Sequence, residues 1–286
     1  MHKNLISRVV FWAALLVAIG CLGFAAWYHI SNYRAAQKHE ELVSEVTEGQ
    51  ATPTDAPAEQ QTYTLEEIES AEFTGEIEGE APIIPTEVIT DAEGNPIDFA
   101  ALQAYNAELY AWIRIPGTVI DYPVAQHAGT DQAYYLHHDL YGTPQFAGCI
   151  YSEATSAKDF SDPVTVLYGH NMKNGSMFQN LHLFEDEDFF AEHPYIYIYT
   201  PDETYVYRIY SVYTYDDRPL STSFDFNDPA DLEEYLNSTL NPRNMTAHVR
   251  SDIAVTAADK VLTLSTCISG NPSARLLVQA VQSYES

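Results

Sequence analysis

Cysteine, basic charge and methionine are all scarce in this chain of 286 residues, which holds three Cys, four Met and 13 Lys plus Arg against 41 Asp plus Glu. Three cysteines do not make a disulfide framework. The net charge of −28 argues against nucleic acid or an anionic lipid surface as a binding partner. No HExxH, CxxC or His-Cys cluster supports a metal site, and no P-loop, dinucleotide fingerprint or internal repeat supports a bound cofactor. No Lys or Arg occurs between Lys38 and Arg114, where Glu and Asp are dense.

One long apolar run is present. Val9 to Ile30 (VVFWAALLVAIGCLGFAAWYHI) is long enough to cross a hydrocarbon layer of about 30 Å as a helix. Trp27 and Tyr28 fall where an interfacial aromatic belt lies, and Lys3 and Arg8 precede the run, which favours an inside N-terminus, although Arg34 and Lys38 follow it. A retained signal anchor is the preferred reading, since the run exceeds a signal-peptide core and no A-x-A site follows it. A cleaved signal peptide and a lipid-modified Cys21 are the alternatives. The expected organisation is a cytoplasmic N-terminus over 1–8, a transmembrane anchor over 9–30, an acidic stalk and linker over 31–97 and an extracellular globular domain over 98–286.

Within the stalk, Thr47 to Gln61 reads as a flexible linker. Thr64-x-x-Glu67 resembles a capping box opening a short helix to about Phe73, and Glu76 to Asn95 is an acidic, solvated spacer. Asp98 is a candidate N-cap, followed at helical spacing by Leu102, Tyr105, Leu109, Trp112 and Ile113. Strand signals then cover Ala111–Ile115, Val119–Val124, Gly148–Glu153, Val164–Tyr168, Tyr195–Thr200, Thr204–Tyr215, Val261–Cys267 and Arg275–Val281. The ring-aliphatic alternation of Tyr195-Ile196-Tyr197-Ile198-Tyr199 is the clearest of them. Helices are expected at Ser176–Phe184, Asp188–His193 and Pro229–Leu240. About eight strands with inserted helices point to a mainly β protein, a closed or nearly closed barrel, rather than a parallel α/β sheet.

The chemistry-bearing pattern is Thr263-Leu264-Ser265-Thr266-Cys267, with Arg275 eight positions later and Tyr168-Gly169-His170 far upstream. Cys21 falls in the apolar run, and Cys149, in Gly148-Cys149-Ile150-Tyr151, reads as a small buried hydrophobe. That leaves Cys267, at the end of a β-branched run, as the candidate nucleophile, with an inert core cysteine as the plain alternative. Antiparallel pairing of Val261–Cys267 with the strand after the Ile268–Ala274 loop would set Arg275 beside it. A guanidinium there can donate two hydrogen bonds to an oxyanion, whereas in isolation it is a surface charge. Of ten histidines, His170 stands out because it follows a strand through Gly169, which lets the chain turn and present the ring at a barrel rim. His127, His137, His138, His182, His193 and His248 sit in polar segments and are less well placed. Glu185-Asp186-Glu187-Asp188 lacks calcium-loop spacing and reads as a helix entry.

At these residues the chain resembles a sortase, a cysteine transpeptidase of Gram-positive bacteria, most closely class B. The resemblance continues through Ile120-Asp121-Tyr122-Pro123-Val124, Asp131-Gln132-Ala133-Tyr134-Tyr135-Leu136, Tyr168-Gly169-His170-Asn171-Met172 and Met177-Phe178, in the family's order, and covers about Asp98 to the C-terminus. It implies an eight-stranded β-barrel that cleaves the C-terminal sorting signal of a secreted surface protein and joins the new end to an amine. The acceptor would be a peptidoglycan precursor, or a pilin lysine in a polymerising sortase. It also implies roles: Cys267 as nucleophile, His170 as acid/base, Arg275 as transition-state stabiliser, Ser265 and Thr266 lining the groove, and Gln132 and Leu136 contacting substrate. Gln132 stands where the family often has Asn, and Ile268 where an acidic residue is common. An L,D-transpeptidase, which carries Gly before its Cys where this chain has Thr266, and a catalytically silent adhesion domain are the rival readings.

Overall fold

Alternation and capping account for most of the elements in this computed structural model, which describes residues 95–244 and 246–283 together with Ile30, Leu42 and Val46. In chain order these are α1 (Phe99–Tyr105), β1 (Leu109–Arg114), β2 (Asp121–Ala125), β3 (Ile150–Tyr151), β4 (Val164–Tyr168), α2 (Glu187–Glu192), β5 (Tyr195–Tyr199), β6 (Thr204–Asp216), α3 (Leu220–Ser223), α4 (Pro229–Leu240), β7 (His248–Val249), β8 (Val261–Ile268) and β9 (Asn271–Gln282). Two 3-10 segments, Tyr134–Leu136 and Phe178–Glu185, precede β3 and α2.

The strands run in the order β5-β1-β2-β3-β4-β8-β9-β6, and β5 pairs back onto β6, so eight strands close a barrel with β7 attached to β6. Closure leaves no long open edge along the wall. Most pairs are antiparallel, but β2–β3 and β4–β8 are parallel. The β4–β8 register is Val164↔Val261 through Tyr168↔Ser265.

The barrel interior follows from period-two alternation. Ile196 and Ile198 of β5, Leu262 and Leu264 of β8 and Leu276 and Val278 of β9 all enter one buried cluster with Phe178 and Phe184. The opposite face of β6, β8 and β9 carries Tyr213, Val261 and Leu277 against Leu232, Tyr235 and Leu236 of α4. Tyr235 also anchors that helix through its hydroxyl, 2.8 Å from Thr263 Oγ1, while Thr263 donates to Gln279 Oε1 at 2.7 Å. Pro at the first turn and Asp228, which accepts from Ala230 N and Asp231 N, start α4. Leu102 of α1, Trp112 of β1, Leu42 and Val46 form a third cluster.

Several sequence expectations need correcting. The helical spacing from Asp98 breaks at Tyr105: Asp98 does cap α1 by accepting from Ala101 N, but Asn106 ends it and Leu109, Trp112 and Ile113 lie in β1. Asn106 turns the chain by donating to the Tyr135 hydroxyl at 2.6 Å and Leu140 O at 2.9 Å, and pairing of β1 with β2 and β5 overrides the local period. The Ile268–Ala274 loop is instead a tight hairpin with Ile268 opposite Asn271 and Gly270 at φ +78°. Strand β7 and helix α3 had no clear sequence signal. No helix among the described residues is long and apolar enough to cross a membrane. The apolar run apart from Ile30 and the Thr64–Phe73 helix lie outside the described residues.

Candidate active site

Strand β8 carries Cys267 at its end, and alternation puts its side chain on the face that also bears Thr263 and Ser265, the outer face toward α4. Cys267 is exposed, unlike the six residues before it. The site therefore lies against the outside of the barrel wall, beside the strand ends, and not over the barrel mouth. Two strand registers and one ring contact then bring partners to the thiol.

The first is β8–β9, where Cys267 stands directly opposite Arg275. Arg275 is half-buried, and its Nη1 donates to Pro272 O and Ala274 O, both at 2.9 Å. These two bonds use the hydrogens on Nη1 and leave those on Nε and Nη2 for a ligand.

The second is β4–β8. Because Tyr168 is level with Ser265, the chain beyond β4 runs alongside Thr266 and Cys267. Gly169 N donates to Ser265 O at 3.2 Å and Thr266 Oγ1 donates to Gly169 O at 2.8 Å, so His170 is delivered to the cleft beside Cys267. Gly169 is required here by space. A Cβ on it would sit 2.5 Å from Ile150 Cδ1 and 2.8 Å from the Phe178 ring, and its φ is not in the left-handed region. The sequence had given it a turning role; its role is close approach.

The third contact orients the ring. His170 Nε2 lies 2.9 Å from Leu136 O, and a carbonyl only accepts, so Nε2 carries the hydrogen and Nδ1 is left to exchange protons. Phe146, 48 % exposed, stacks on the same ring at 5.2 Å and 17°. Burial lowers the His170 pKa from 6.5, the Leu136 carbonyl opposes that, and His137 adds to the lowering.

Cys267, His170, Arg275, Ser265, Thr266, Leu136 and Gln132 all line one cleft of about 260 Å³. The structure thus brings together every residue singled out in the sequence, though not each as foreseen. Thr266 is buried and bonds Gly169, so its hydroxyl positions the β4–β8 seam. Leu136 contributes its carbonyl to His170, and Gln132 Oε1 accepts from Ala154 N at 2.8 Å. Sequence reasoning missed Phe146, Glu153, Tyr215 and Arg218 in or beside the cleft. Arg218 is held by Asp216 at 2.9 and 2.7 Å, which raises its pKa. No spacing in the sequence links these to Cys267, because they arrive on separate loops and on β6.

Cys149 is buried, donates its backbone N–H to Tyr135 O at 2.8 Å, and has its thiol pKa pushed well up by burial. It lies just before β3 and fits the small-hydrophobe reading. Among the acidic run, Asp186 caps α2 by accepting from Phe189 N, and Glu185 contacts His182.

With this geometry in hand, the relatives are informative. A family model described as "Sortase domain" matches residues 113–283. The chain is 34 % identical over 166 residues to Sortase B of Listeria monocytogenes and 27 % identical over 169 residues to Sortase B of Staphylococcus aureus. Those matches take in 58 % and 59 % of this chain and 65 % and 67 % of the relatives, so the chain spans just under two thirds of the Listeria protein. Among solved structures, Clostridium perfringens Sortase B matches with a TM-score of 0.58 at 30 % identity, covering 65 % of this chain and 100 % of that one. A Staphylococcus aureus sortase B–substrate complex matches with a TM-score of 0.57 at 27 % identity, over 66 % and 85 %.

Proposed function

This chain belongs to the sortase family, within class B, and from that membership and the geometry of its cleft we propose that it is a cysteine transpeptidase acting on the C-terminal sorting signals of secreted proteins. The observation that carries the reading is the convergence of Cys267, Arg275 and His170 on one cleft through two strand registers and one short connection.

In this mechanism the Cys267 thiolate attacks the peptide carbonyl that follows a Thr of the sorting motif, forming a C–S bond. The Nε and Nη2 donors of Arg275 hold the oxyanion. The tetrahedral intermediate collapses by breaking the C–N bond. His170, protonated on Nδ1, gives that proton to the leaving amine, and a thioacyl enzyme remains. An incoming amine surrenders a proton to Nδ1, attacks the thioester and releases Cys267. The acceptor is a cell-wall amine of a peptidoglycan precursor, with a pilin lysine as the alternative donor of the same chemistry.

Attachment to the plasma membrane by Val9–Ile30, with the catalytic domain outside, belongs to this proposal. Both substrates would then lie at the outer membrane face. Val46 O accepts from Asp98 N at 3.1 Å and Leu42 and Val46 pack on the domain, so in this proposal the tether to the anchor is the stretch before Leu42, which keeps the domain in the near-membrane zone.

Incubation of the protein with a library of Thr-containing sorting peptides and an amine acceptor tests the reading. The wild type should cleave and ligate a subset, and Cys267→Ala should do neither. Turnover by Cys267→Ala would overturn the mechanism. Arg275→Lys should lose about 10²-fold in kcat, because a point charge cannot reproduce the planar fork. Near-normal turnover would remove Arg275 from its role.

A further inference from the structure

The carbonyl of Cys267 has unusual company. Strand carbonyls alternate in direction, so Cys267 O points to the same edge of β8 as Ser265 O. Ser265 O accepts from Gly169 N, but β4 has ended at Tyr168, and one step further along the edge the donors are side chains. Asn171 Nδ2 donates to Cys267 O at 2.8 Å, and His182 Nε2 lies 3.0 Å from the same oxygen. Asn171 Nδ2 also lies 3.2 Å from Ser269 Oγ, in the hairpin that follows, and 3.0 Å from His182 Nε2. His182 Nδ1 is 2.6 Å from Glu185 Oε2, and His248 Nε2 donates to Glu185 O at 2.8 Å.

We infer that Asn171, backed by His182 and Glu185, is a positioning residue that fixes the backbone of Cys267 and so aims its thiol. The inference rests on the transpeptidase reading for its catalytic consequence, not for its geometry. The β8–β9 register shifts between Cys267 and Ile268, so the ladder is irregular where the nucleophile must be held. A clamp on the carbonyl compensates for that irregularity. Carboxylate and carbonyl both only accept, so His182 bonds both when each ring nitrogen carries a hydrogen. With a hydrogen on Nδ1 alone, Nε2 accepts from Asn171 instead, and Asn171 still donates to Cys267 O with its second hydrogen. Asn171 is therefore the constant member of the clamp and His182–Glu185 its support. His170 precedes Asn171 directly, so the same amide ties the acid/base segment to the nucleophile's backbone.

The test uses the full-length protein in a non-ionic detergent, labelled with cysteine carrying ¹³C at the carbonyl, and the best peptide from the library above. Asn171→Asp keeps the shape and removes the donors. It should move the Cys267 carbonyl signal and lower kcat roughly tenfold, as loss of one bond to a backbone carbonyl implies, with KM within about twofold. His182→Ala should lower kcat by a few-fold, and His182→Gln, which retains a neutral donor, should recover most of that. An unmoved carbonyl signal overturns the clamp. A moved signal with unchanged kcat, or a KM change as large as the kcat change, overturns its role in aiming the thiol. If the wild type turns over no peptide, the transpeptidase reading fails by itself. The clamp is then judged on the carbonyl signal and on the rate of iodoacetamide capture at Cys267, and both must change in Asn171→Asp.

Discussion

Two cysteines in the same domain take opposite fates, and their surroundings explain why. Cys149 is enclosed by apolar groups, and burial favours its thiol form, whereas Cys267 opens onto a cleft that also holds Arg275 and His170. Iodoacetamide should therefore label Cys267 in the native protein and reach Cys149 only after denaturation, as peptide mass mapping would read; equal labelling would contradict the packing around Cys149. His170 makes a second residue-scale prediction. Its folded-state pKa lies below the 6.5 of the unfolded chain, so the unfolded state binds more protons in the window just below 6.5. The stability it contributes is present above pH 6.5 and is lost as pH falls through the folded value. Replacing His170 with Gln should flatten the pH dependence of stability there, measured by urea unfolding.

At the scale of elements, the β4–β8 seam decides the site. Two hydrogen bonds, Gly169 N to Ser265 O and Thr266 Oγ1 to Gly169 O, set His170 beside Cys267, and only glycine fits between Ile150 and Phe178. Gly169→Ala should cost about 1–3 kcal/mol by overpacking and should depress kcat as well, since the seam must spread to admit the methyl. A variant with full stability and full activity would show that the neighbouring side chains yield freely. Helix α4 offers a contrast remote from the cleft. Asp228→Ala should cost about 1 kcal/mol through the lost cap, with peptide turnover at the folded fraction unchanged.

For the whole molecule, the dominant facts are barrel closure and the excess of acid. Parallel pairing of β4 with β8 joins segments nearly a hundred residues apart, so Cys267 and His170 meet only when the barrel closes. With a net charge of −28, self-repulsion opposes the compact state. Raising NaCl from about 20 mM to 500 mM, which shortens the screening length severalfold, should raise Tm in differential scanning calorimetry. A lower Tm at high salt would mean that favourable ion pairs such as Arg114–Asp121 outweigh the repulsion.

Much of this was legible in the chain because the relevant signals are local. Tyr195–Tyr199 alternates because one face meets a core, and the strand over Val164–Tyr168 and the helix over Pro229–Leu240 appear with the bounds their patterns predict. Scarcity did the rest, since a chain with three cysteines and few basic residues offers few candidates for nucleophile and oxyanion donor. The sequence by itself thus determined the candidate residues, the family and the mainly β class. Only the tertiary structure decided that the cleft lies on the outer wall, that Leu136 acts through its carbonyl, and that His182 touches Cys267. Every residue has a backbone carbonyl, so no side-chain pattern marks the one that orients the His170 ring. Long-range register, likewise, is set by closure of the whole barrel and by no segment within it.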